Sequence, residues 1–541
     1  METKLCKFTQ QKSQLDVMVS QMTKLENGFA YQTQRADKNE VDYRMAKKEL
    51  TNLQKEKKKL ENERDAMKEE RENIFKMLLS LIIGLSAVMA IQAIDIPNNA
   101  RVWCYYTNWS QYRPTGMKYT VKNMDASLCT HIAFGFAILK NNKIIHYEYN
   151  DINGTWTRGM YWEFNQLKKT YPRIKSFLSV GGWNFGSVKF SKMASTPASR
   201  KTFVDSAVDF LKKWEFDGLD VDWEYPALRQ GSKKDIEYYT LLLKELHEKF
   251  SQQTPRLLLS FAGPAPIEKI EVGFEVEKIS PYVDFINIMT YDFHGSWETT
   301  TGHSSPLFPL STDKGDFINW NMAYSVANWI HLGAPIEKIN VGIPFYGRSF
   351  TLADPADSSL GAPAPHAGKN GTITRIAGFL SYFETCKMLQ KGAKRHYIDE
   401  QKVPYLVLGD QWVGYEDVES VREKVHYLRM HGINGMMIWA IDLDDYKNYC
   451  NKGSYPMTHS VIKALQDTEN LRPEDKVGTI KDNKFCFRKK AGFYADPSNC
   501  RNYIYCGSVM EKYTGHCNKG HRWNDANKSC EVDQGNTCTQ N

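Results

Sequence analysis

Short apolar runs alternate with amphipathic helical stretches between about residues 101 and 441. Eight of the runs have the length of strands: Val102–Thr107, His131–Leu139, Ile174–Gly182, Gly218–Glu224, Leu257–Gly263, Val283–Tyr291, Ile339–Tyr346 and Gly435–Ile441. Between several of them lie segments with helical spacing, such as Ser199–Trp214 and Asp235–Phe250. Continuous apolar strands joined by helical crossovers are typical of parallel sheets buried on both faces. Eight such units predict an α/β protein with a (β/α)8 TIM barrel.

The interval between the seventh and eighth runs is too long for one helical crossover. It extends from Arg348 to about Val425 and contains two further strand-like pieces, Tyr405–Leu408 and Gln411–Gly414. We therefore expect an α+β insertion over about 349–425, between barrel strands 7 and 8, within a barrel domain of residues 98–466.

Residues 77–94 form an uncharged, mostly apolar run, MLLSLIIGLSAVMAIQAI, which follows Lys76 and ends near small residues. The pattern is typical of a secretory signal peptide, and its length is also near the lower limit for spanning a bilayer. Two interpretations stay open. Either the run is a signal peptide and residues 1–76 are absent from a secreted mature protein, or it is a signal anchor that holds the protein in a membrane. Secretion is the favoured interpretation.

Residues 1–76 have a charged pattern of their own. Apolar residues recur every seven positions at Leu53, Leu60, Met67 and Ile74. The positions that would complete a coiled-coil seam turn basic after Leu50. The segment therefore predicts a charged helical or coiled-coil-like extension, with a solvated charged stretch as the alternative.

The cysteines divide the chain unevenly. Six of the eleven crowd the C-terminal tail, at Cys486, Cys500, Cys506, Cys517, Cys530 and Cys538. A dense, even set of this kind indicates a disulfide framework and an oxidising compartment. A zinc site is the alternative, although no pair has the C-x2-C spacing of such sites. We expect a small disulfide-rich β module over 484–540, after a charged linker over 467–483.

The net charge is +7 over 541 residues. Without clustering, this charge is too dilute to indicate nucleic-acid binding, so no nucleic-acid partner is expected.

The fourth run ends in a constellation of acids. Asp220, Asp222 and Glu224 alternate with apolar residues, so they share one face of a strand. Inside a barrel, mutual repulsion raises the pKa of at least one acid and makes it a proton donor near neutrality. An acidic face in water and a divalent metal site are the alternatives.

Aromatic residues lie at or near the predicted carboxyl ends of the strands, where barrel enzymes place their chemistry. They are Trp109, Trp183, Tyr291 and Trp439. A ring of aromatic side chains around carboxylates suits stacking against sugars better than it suits a hydrated ion.

The segment Asp217–Pro226 resembles the active-site signature of family 18 glycoside hydrolases, the chitinases. Further stretches that resemble the animal chitinases of this family are Cys104–Arg113, Ser179–Gly186, Met289–Trp297, Tyr346–Leu352 and Met437–Asp445. The resemblance extends from about Arg101 to Leu465. It implies a secreted, endo-acting chitinase that cleaves β-1,4-N-acetylglucosamine linkages by a substrate-assisted, retaining mechanism. No cofactor and no metal are expected.

The resemblance also implies residue roles. Glu224 is the proton donor, Asp222 orients the substrate's N-acetyl group, Asp220 tunes Asp222, and Tyr291 hydrogen-bonds the acetamido carbonyl. Substrate binding is implied for Gly181, Gly182, Trp183, Asn184, Tyr225, Met289, Asp292, Trp439, Tyr346, Arg348, Tyr105, Trp109, Phe136, Trp156 and Met437. Disulfides Cys104–Cys129 and Cys386–Cys450 are implied in the barrel.

The tail resembles the peritrophin-type chitin-binding domain in its cysteine spacing. This implies the pairs Cys486–Cys506, Cys500–Cys538 and Cys517–Cys530. Trp523, Tyr503 and Tyr505 are the candidates for stacking on N-acetylglucosamine, and Phe493 is expected to fill the core. The expected partners are chitin and N-acetylglucosamine oligomers, with a membrane only if 77–94 is a retained anchor, and a monomer is expected. The alternatives are a chitin-binding lectin with little hydrolysis and a membrane-anchored chitinase.

Overall fold

The computed structural model describes residues 96–114, 116–154, 158–467, 486, 489, 492–506, 512–517 and 521–532, with scattered positions from 17 to 69. The chain divides into two units, Met1–Ala93 and Ile94–Asn541. In the first unit, residues 51–62 are helical. The apolar run 77–94 and the segment 468–485 lie outside the described residues. Among the helices that the structure describes, none has the length and apolar content that crossing a membrane requires.

A closed barrel of eight parallel strands forms the larger part of the second unit. The strands up to its end are β1 (Arg101–Thr107), β2 (His131–Lys140), β3 (Lys143–His146), β4 (Lys175–Gly181), β5 (Gly218–Asp222), β6 (Leu258–Pro264), β7 (Phe285–Met289), β8 (Ile339–Pro344), β9 (Tyr346–Thr351), β10 (His366–Ala367), β11 (Phe379–Ser381), β12 (Lys394–Ile398), β13 (Val403–Leu408), β14 (Gln411–Gly414) and β15 (Gly435–Trp439). β1 pairs with β2 on one side and with β15 on the other, which closes the ring through β4, β5, β6, β7 and β8. The predicted TIM barrel is confirmed.

Helices cover the barrel between strands. The α-helices described in this unit are Met160–Thr170, Val188–Ala194, Pro197–Trp214, Asp235–Ser251, Ile267–Gly273, Val276–Ile279, Met322–His331, Tyr382–Gln390, Val418–Met430 and Pro456–Gln466. Helix Pro197–Trp214 shows how the sequence determines where such a helix begins and which face it buries. The Thr196 side chain accepts from the Ser199 amide, and a proline occupies the first turn. Phe203, Ala207 and Leu211 recur every four residues on its buried face.

The predicted α+β insertion between β8 and β15 is confirmed. β9 to β14 form a six-stranded sheet with order β10-β9-β14-β13-β12, and β11 pairs with β9. This sheet begins at Tyr346, earlier than the predicted position 349, because the apolar run from Ile339 hides the break that follows Pro344. Tyr346 and Arg348 therefore lie on the insertion, beside the mouth of the barrel.

The C-terminal module is built from antiparallel strands. β16 (Gly492–Ala495), β17 (Asn502–Cys506) and β18 (Lys512–His516) form one sheet, and β19 (His521–Asn524) pairs with β20 (Ser529–Val532). Disulfides join Cys486 to Cys506 and Cys517 to Cys530. Cys500 is also disulfide-bonded, and Cys538, its expected partner, lies outside the described residues. Disulfides Cys104–Cys129 and Cys386–Cys450 lie in the barrel unit.

Candidate active site

Asp220 lies on β5 in the barrel interior and is fully buried. Four neighbours donate hydrogen bonds to its carboxylate: the Tyr105 and Ser179 hydroxyls to Oδ2 at 2.7 Å each, the Ser260 hydroxyl to Oδ1 at 2.7 Å and the Asn287 amide to Oδ1 at 3.1 Å. These donors come from β1, β4, β6 and β7, so four other barrel strands fix one carboxylate. Burial raises the pKa of Asp220, and the four donors oppose that rise.

Asp222 and Glu224 lie above Asp220, toward the carboxyl end of β5. Their exposed fractions are 3% and 8%. The Oδ1 atom of Asp222 is buried without a hydrogen-bond partner. Burial raises the pKa of Asp222 well above its ordinary value, and repulsion from Glu224 and Asp220 adds to the effect. The predicted direction of the shift is right, but its main cause is desolvation rather than mutual repulsion.

Burial also raises the pKa of Glu224, to about 7. A hydrogen bond from Tyr225 and the charge of Arg229 oppose the rise. The Arg229 Nη1 atom donates to the carbonyl oxygens of Trp183, at 2.7 Å, and of Glu224, at 3.2 Å. One buried carboxyl can therefore keep a proton at neutral pH while a fixed cation lies beside it.

The glycines after β4 let the backbone approach the acids. Gly181 has φ +116°, and a Cβ atom there would lie 2.2 Å from the Asp222 carbonyl oxygen. Gly182 has φ +83°, and a Cβ atom would lie 2.7 Å from the Phe136 ring. A side chain at either position would collide with the walls of the site.

Tyr291 follows β7 and faces the same acids. Its hydroxyl lies 3.6 Å from the Met437 sulfur. Its pKa is raised well above the ordinary value by burial and by the charge of Asp222, so the phenol stays a neutral hydrogen-bond donor. Met289, the last residue of β7, is partly buried and packs against the barrel core.

Asp292 is held by the insertion. Its Oδ1 accepts from the Tyr346 hydroxyl at 2.7 Å and from the Arg348 Nε at 2.8 Å, and its Oδ2 accepts from the Arg348 Nη2 at 2.5 Å. Asp292 has φ +59°. These three bonds fix one wall of the mouth through contacts between the barrel and β9.

Three further aromatic side chains surround Trp439 at the end of β15. The Trp439 ring lies 5.1 Å from Tyr105, 5.8 Å from Phe136 and 6.4 Å from Trp109, measured between ring centroids. Phe136 stacks nearly parallel on Trp439 and on Trp109. An aromatic floor therefore continues from the buried acids out to the exposed Trp109 ring.

Two predicted residues lie apart from this floor. Trp183 is 57% exposed and stacks on the Arg229 guanidinium, 3.7 Å from the ring centroid. Asn184 beside it is exposed. Trp156 lies outside the described residues.

Sequence reasoning missed two sets of residues. The donors Ser179, Ser260 and Asn287 are polar residues inside apolar strands, and that signal was available in the sequence. The exposed aromatic residues Tyr149 and Trp297 lie in loops without strand or helix periodicity. Only the fold reveals that Trp297 packs 5.2 Å from the Arg348 guanidinium.

The metal alternative requires a cluster of ligating side chains. Within the described ranges, no group of three or more His, Cys, Asp or Glu side chains is arranged to hold an ion. Both oxygens of Asp220 already accept hydrogen bonds from protein donors.

The module presents an aromatic cluster of its own. The Trp523 ring lies 4.7 Å from Tyr503 and 5.9 Å from Phe493. Phe493 is 41% exposed, so its expected place in the core is wrong: the short sheet is too small to cover both of its faces. Tyr505 lies on β17 opposite Phe493 in the strand register.

One N-glycosylation sequon begins at a buried residue. Asn108 begins an N-x-S sequence, but its side chain is fully buried and donates to both oxygens of Asp151 at 3.2 Å. This amide is inaccessible for glycosylation in the folded chain.

Two family models match the chain. The model of glycosyl hydrolases family 18 matches residues 101–444. The model of the chitin-binding peritrophin-A domain matches residues 486–538.

Individual relatives cover most of the chain. Mouse chitotriosidase-1 is 38% identical over 445 residues, which covers 79% of this chain and 94% of that protein. The crystal structure of an immunomodulatory active chitinase from Trichuris suis is 38% identical, with a TM-score of 0.65, and covers 68% of this chain and 100% of that one. Human YKL-39, described as a pseudo-chitinase with retained chitooligosaccharide binding, is 42% identical, with a TM-score of 0.64 and the same coverage of both chains.

Proposed function

The chain belongs to glycosyl hydrolases family 18, and on that basis we propose that it is an endo-acting chitinase, secreted and equipped with a chitin-binding module. It hydrolyses β-1,4 linkages between N-acetylglucosamine residues with retention of configuration. The observation that carries the proposal is the buried carboxyl group of Glu224, whose pKa is raised to about 7 beside Asp222 and Asp220.

Glu224 acts as the general acid. It lies at the open end of the acid trio, and its raised pKa keeps a proton available near neutrality. In the proposed reaction this proton passes to the glycosidic oxygen as the bond to the anomeric carbon breaks. Glu224, now ionised, then takes a proton from the water that opens the intermediate.

The nucleophile comes from the substrate. The acetamido oxygen attacks the anomeric carbon and forms an oxazolinium ion, so no enzyme carboxylate has to attack. Asp222 has a buried oxygen without a protein partner, which leaves it free to accept from the acetamido N–H and to support the positive charge. The neutral Tyr291 hydroxyl donates to the acetamido carbonyl. This explains why an N-acetyl group is required and favours chitin over cellulose.

The remaining site residues bind the polymer. Trp439 forms the floor under the sugar at the cleavage point, and the exposed rings of Trp109, Trp183 and Trp297 supply stacking surfaces on either side of it. Asp292 and Arg348 fix the wall beside Tyr291.

The second candidate is a lectin-like protein that binds chitin oligomers with little hydrolysis. A 42% identical relative is described as a pseudo-chitinase with retained chitooligosaccharide binding, which favours this candidate. The presence of all three acids, Asp220, Asp222 and Glu224, argues against it.

A turnover assay separates the two candidates. The full chain is incubated with a chromogenic chitobioside, together with Glu224→Gln and with Glu248→Gln as a matched control whose side chain is 57% exposed on a helix. We expect Glu224→Gln to lose about 10²–10⁴-fold in kcat, the usual contribution of a general acid, while oligomer binding and the control stay at the wild-type level. An inactive wild type identifies the lectin, and unchanged turnover in Glu224→Gln refutes its assignment as the acid.

The same proposal covers the domains and the location. Barrel, linker and module occupy 98–466, 467–483 and 484–540, and the disulfides Cys104–Cys129 and Cys386–Cys450 favour an oxidising compartment. We propose that 77–94 directs secretion of a monomer and is removed with residues 1–76. N-terminal sequencing of the native protein tests this, because a start between residues 94 and 101 excludes a membrane anchor.

A further inference from the structure

A chain of hydrogen bonds runs from one end of the barrel to the acid trio. Arg101, the first residue of β1, donates from Nε to Asn340 Oδ1 at 2.8 Å and from Nη2 to the Ile339 carbonyl at 2.8 Å. Asn340 Nδ2 donates to Asn287 Oδ1 at 2.8 Å. Asn287 Nδ2 donates to Asp220 Oδ1 at 3.1 Å. We call Arg101, Asn340 and Asn287 the relay.

The direction of these bonds is set by chemistry at the Arg101 end. A guanidinium carries only donors, so the atom of Asn340 that faces it must be the oxygen. The amide nitrogen of Asn340 then points at Asn287, which must turn its own oxygen toward it. The nitrogen of Asn287 is left facing Asp220. An ionised Asp220 favours the same orientation of Asn287, and the arginine holds both amides in it whether or not Asp220 carries a proton.

The relay has no spare room. Gly435 lies beside it on β15, and a Cβ atom at that position would lie 2.3 Å from Asn340 Oδ1 and 2.8 Å from Arg101 Nη2. Asn287 and Asn340 are fully buried. The side chains therefore have one packing arrangement in which the donors and acceptors match.

We propose that Arg101 is a positioning residue: through Asn340 and Asn287 it keeps an N–H donor on Asp220 and so leaves the transferable proton to Asp222 and Glu224. The inference rests on the proposed function. With the donor in place, Asp220 accepts four hydrogen bonds, which oppose the rise that burial causes in its pKa. If both amides turned, the oxygen of Asn287 would face Asp220, and that contact would be relieved only by protonating the carboxyl.

The titratable groups around Asp220 do not by themselves decide which of the three acids holds the proton. Among the described residues, the titratable side chains that act on it are Asp222 on its own strand, Tyr105 from β1, Tyr291 after β7 and Tyr239 from helix Asp235–Ser251. Burial raises the pKa of all three tyrosines well above the ordinary value, so they remain neutral. Only Asp222 competes with Asp220 for a proton, and Asp222 is coupled in turn to Glu224.

The groups around Arg101 leave it charged. Burial lowers its pKa to about 10, and Glu337 opposes that shift. His131 nearby has its pKa lowered to about 3 by burial and by the charges of Arg101 and Lys175, so it is neutral. Arg101 therefore stays a donor-only group across the pH range in which Glu224 titrates.

The test compares variants of the full chain in which the side chain at position 101 either carries only hydrogen-bond donors or also carries an acceptor. Arg101→Gln carries an amide that can turn, Arg101→Lys keeps donors only, and Arg256→Gln is the matched control on an exposed arginine paired with Asp284 just before β6. The pH dependence of kcat/KM, and KM, are measured on a soluble chitooligosaccharide. Thermal unfolding of each variant is recorded beside them.

We expect the acidic limb of the Arg101→Gln profile to move up by about half a pH unit, about threefold in rate on that limb, with KM unchanged. The reason is that a more basic Asp220 captures a second proton at higher pH. Arg101→Lys should retain the wild-type profile. A profile of Arg101→Gln that superimposes on that of Arg256→Gln overturns the proposal, as does a shift that Arg101→Lys shares.

A second variant keeps the test valid if Arg101→Gln does not fold. Asn340→Asp has the same shape but accepts on both sides, so it turns the Asn287 amide by itself and should move the acidic limb in the same direction. An unmoved limb contradicts the relay. If the wild type turns over no substrate, the proposed function fails, but the relay can still be tested. The pH dependence of tri-N-acetylchitotriose binding, measured by calorimetry, should then show the same shift to higher pH in the variants.

Discussion

Asp222 and Glu224 are two carboxyls buried side by side, and burial is the first cause of both raised pKa values. Because the two groups interact, they titrate as a pair rather than as separate acids. Asp220 beneath them differs, since four donors stabilise its charge. The trio thus combines one carboxyl group stabilised by four hydrogen-bond donors with two neighbouring carboxyl groups whose pKa values burial raises.

The raised pKa of Glu224 predicts where kcat/KM falls on the alkaline side of the pH profile. Glu224 must be protonated to donate, and it is protonated below its pKa of about 7. We therefore expect kcat/KM to fall about tenfold per pH unit above that value. Arg229→Gln removes a charge that lowers this pKa, so its limb should lie at higher pH, whereas Arg256→Gln should leave it unchanged. A limb that moves to lower pH in Arg229→Gln would contradict the assignment.

Alternation along one strand was enough to predict the acids from the sequence, because side chains on a strand change faces at every residue. The donors to Asp220 are visible in the sequence as polar residues inside apolar strands, but their convergence on one carboxylate required the fold. Tyr105, Ser179, Ser260 and Asn287 come from strands far apart in the chain. The desolvation that dominates the pKa values is likewise a property of the assembled barrel.

A buried ion pair at the end of the insertion contacts the barrel. Lys424 on helix Val418–Met430 pairs with Glu416, and their side chains are 0% and 1% exposed. Lys424 also donates to the Ser305 hydroxyl at 3.0 Å, and Ser305 donates to the Thr290 carbonyl at 2.7 Å. Thr290 immediately precedes Tyr291. The cluster thus joins the end of the insertion to the loop that carries the proposed acetamido donor.

We expect Lys424→Met to lower the free energy of unfolding by about 3–5 kcal/mol, because it leaves the buried Glu416 carboxylate with the Ser420 hydroxyl as a donor but without a counter-charge. The double variant Lys424→Met/Glu416→Gln should recover most of this loss. Lys369→Met removes an exposed pair with Asp410 and should cost no more than about 1 kcal/mol. Chemical denaturation measures all three, and equal losses for Lys424→Met and Lys369→Met would contradict the structural role.

The barrel elements could be predicted because each strand is a continuous apolar run between helical patterns. The start of the insertion could not, because the apolar run that forms β8 passes into β9 without a change in composition. Only pairing distinguishes the two: β8 adds to the parallel barrel, while β9 pairs antiparallel with β14.

At the scale of the whole molecule, two carbohydrate-directed parts are joined in one chain. A bound module raises the effective concentration of the barrel's mouth near an insoluble polymer. Its cysteine spacing made the module recognisable in the sequence, and Trp523 and Tyr503 were candidates there as well. Which rings the sheet buries could not be predicted, because a sheet this small does not cover both of its faces. The exposed Phe493 shows this.

We expect Trp523→Ala to weaken retention on insoluble chitin by about tenfold, equivalent to about 1.4 kcal/mol, with turnover of a soluble chitobioside unchanged. The reason is that its ring belongs to the cluster with Tyr503 and Phe493. Tyr494→Ala is the matched control, since Tyr494 alternates with Phe493 along β16 and occupies the other face. A pull-down on chitin decides: equal loss in both variants would mean that the module was merely destabilised.

The most direct test of the central claim is a crystal structure of Glu224→Gln soaked with tetra-N-acetylchitotetraose. We expect a sugar ring on Trp439, its acetamido group between Asp222 and Tyr291, and the glycosidic oxygen within hydrogen-bond distance of residue 224. An oligomer that bypasses the three acids, or that occupies the module while the barrel stays empty, would contradict the account.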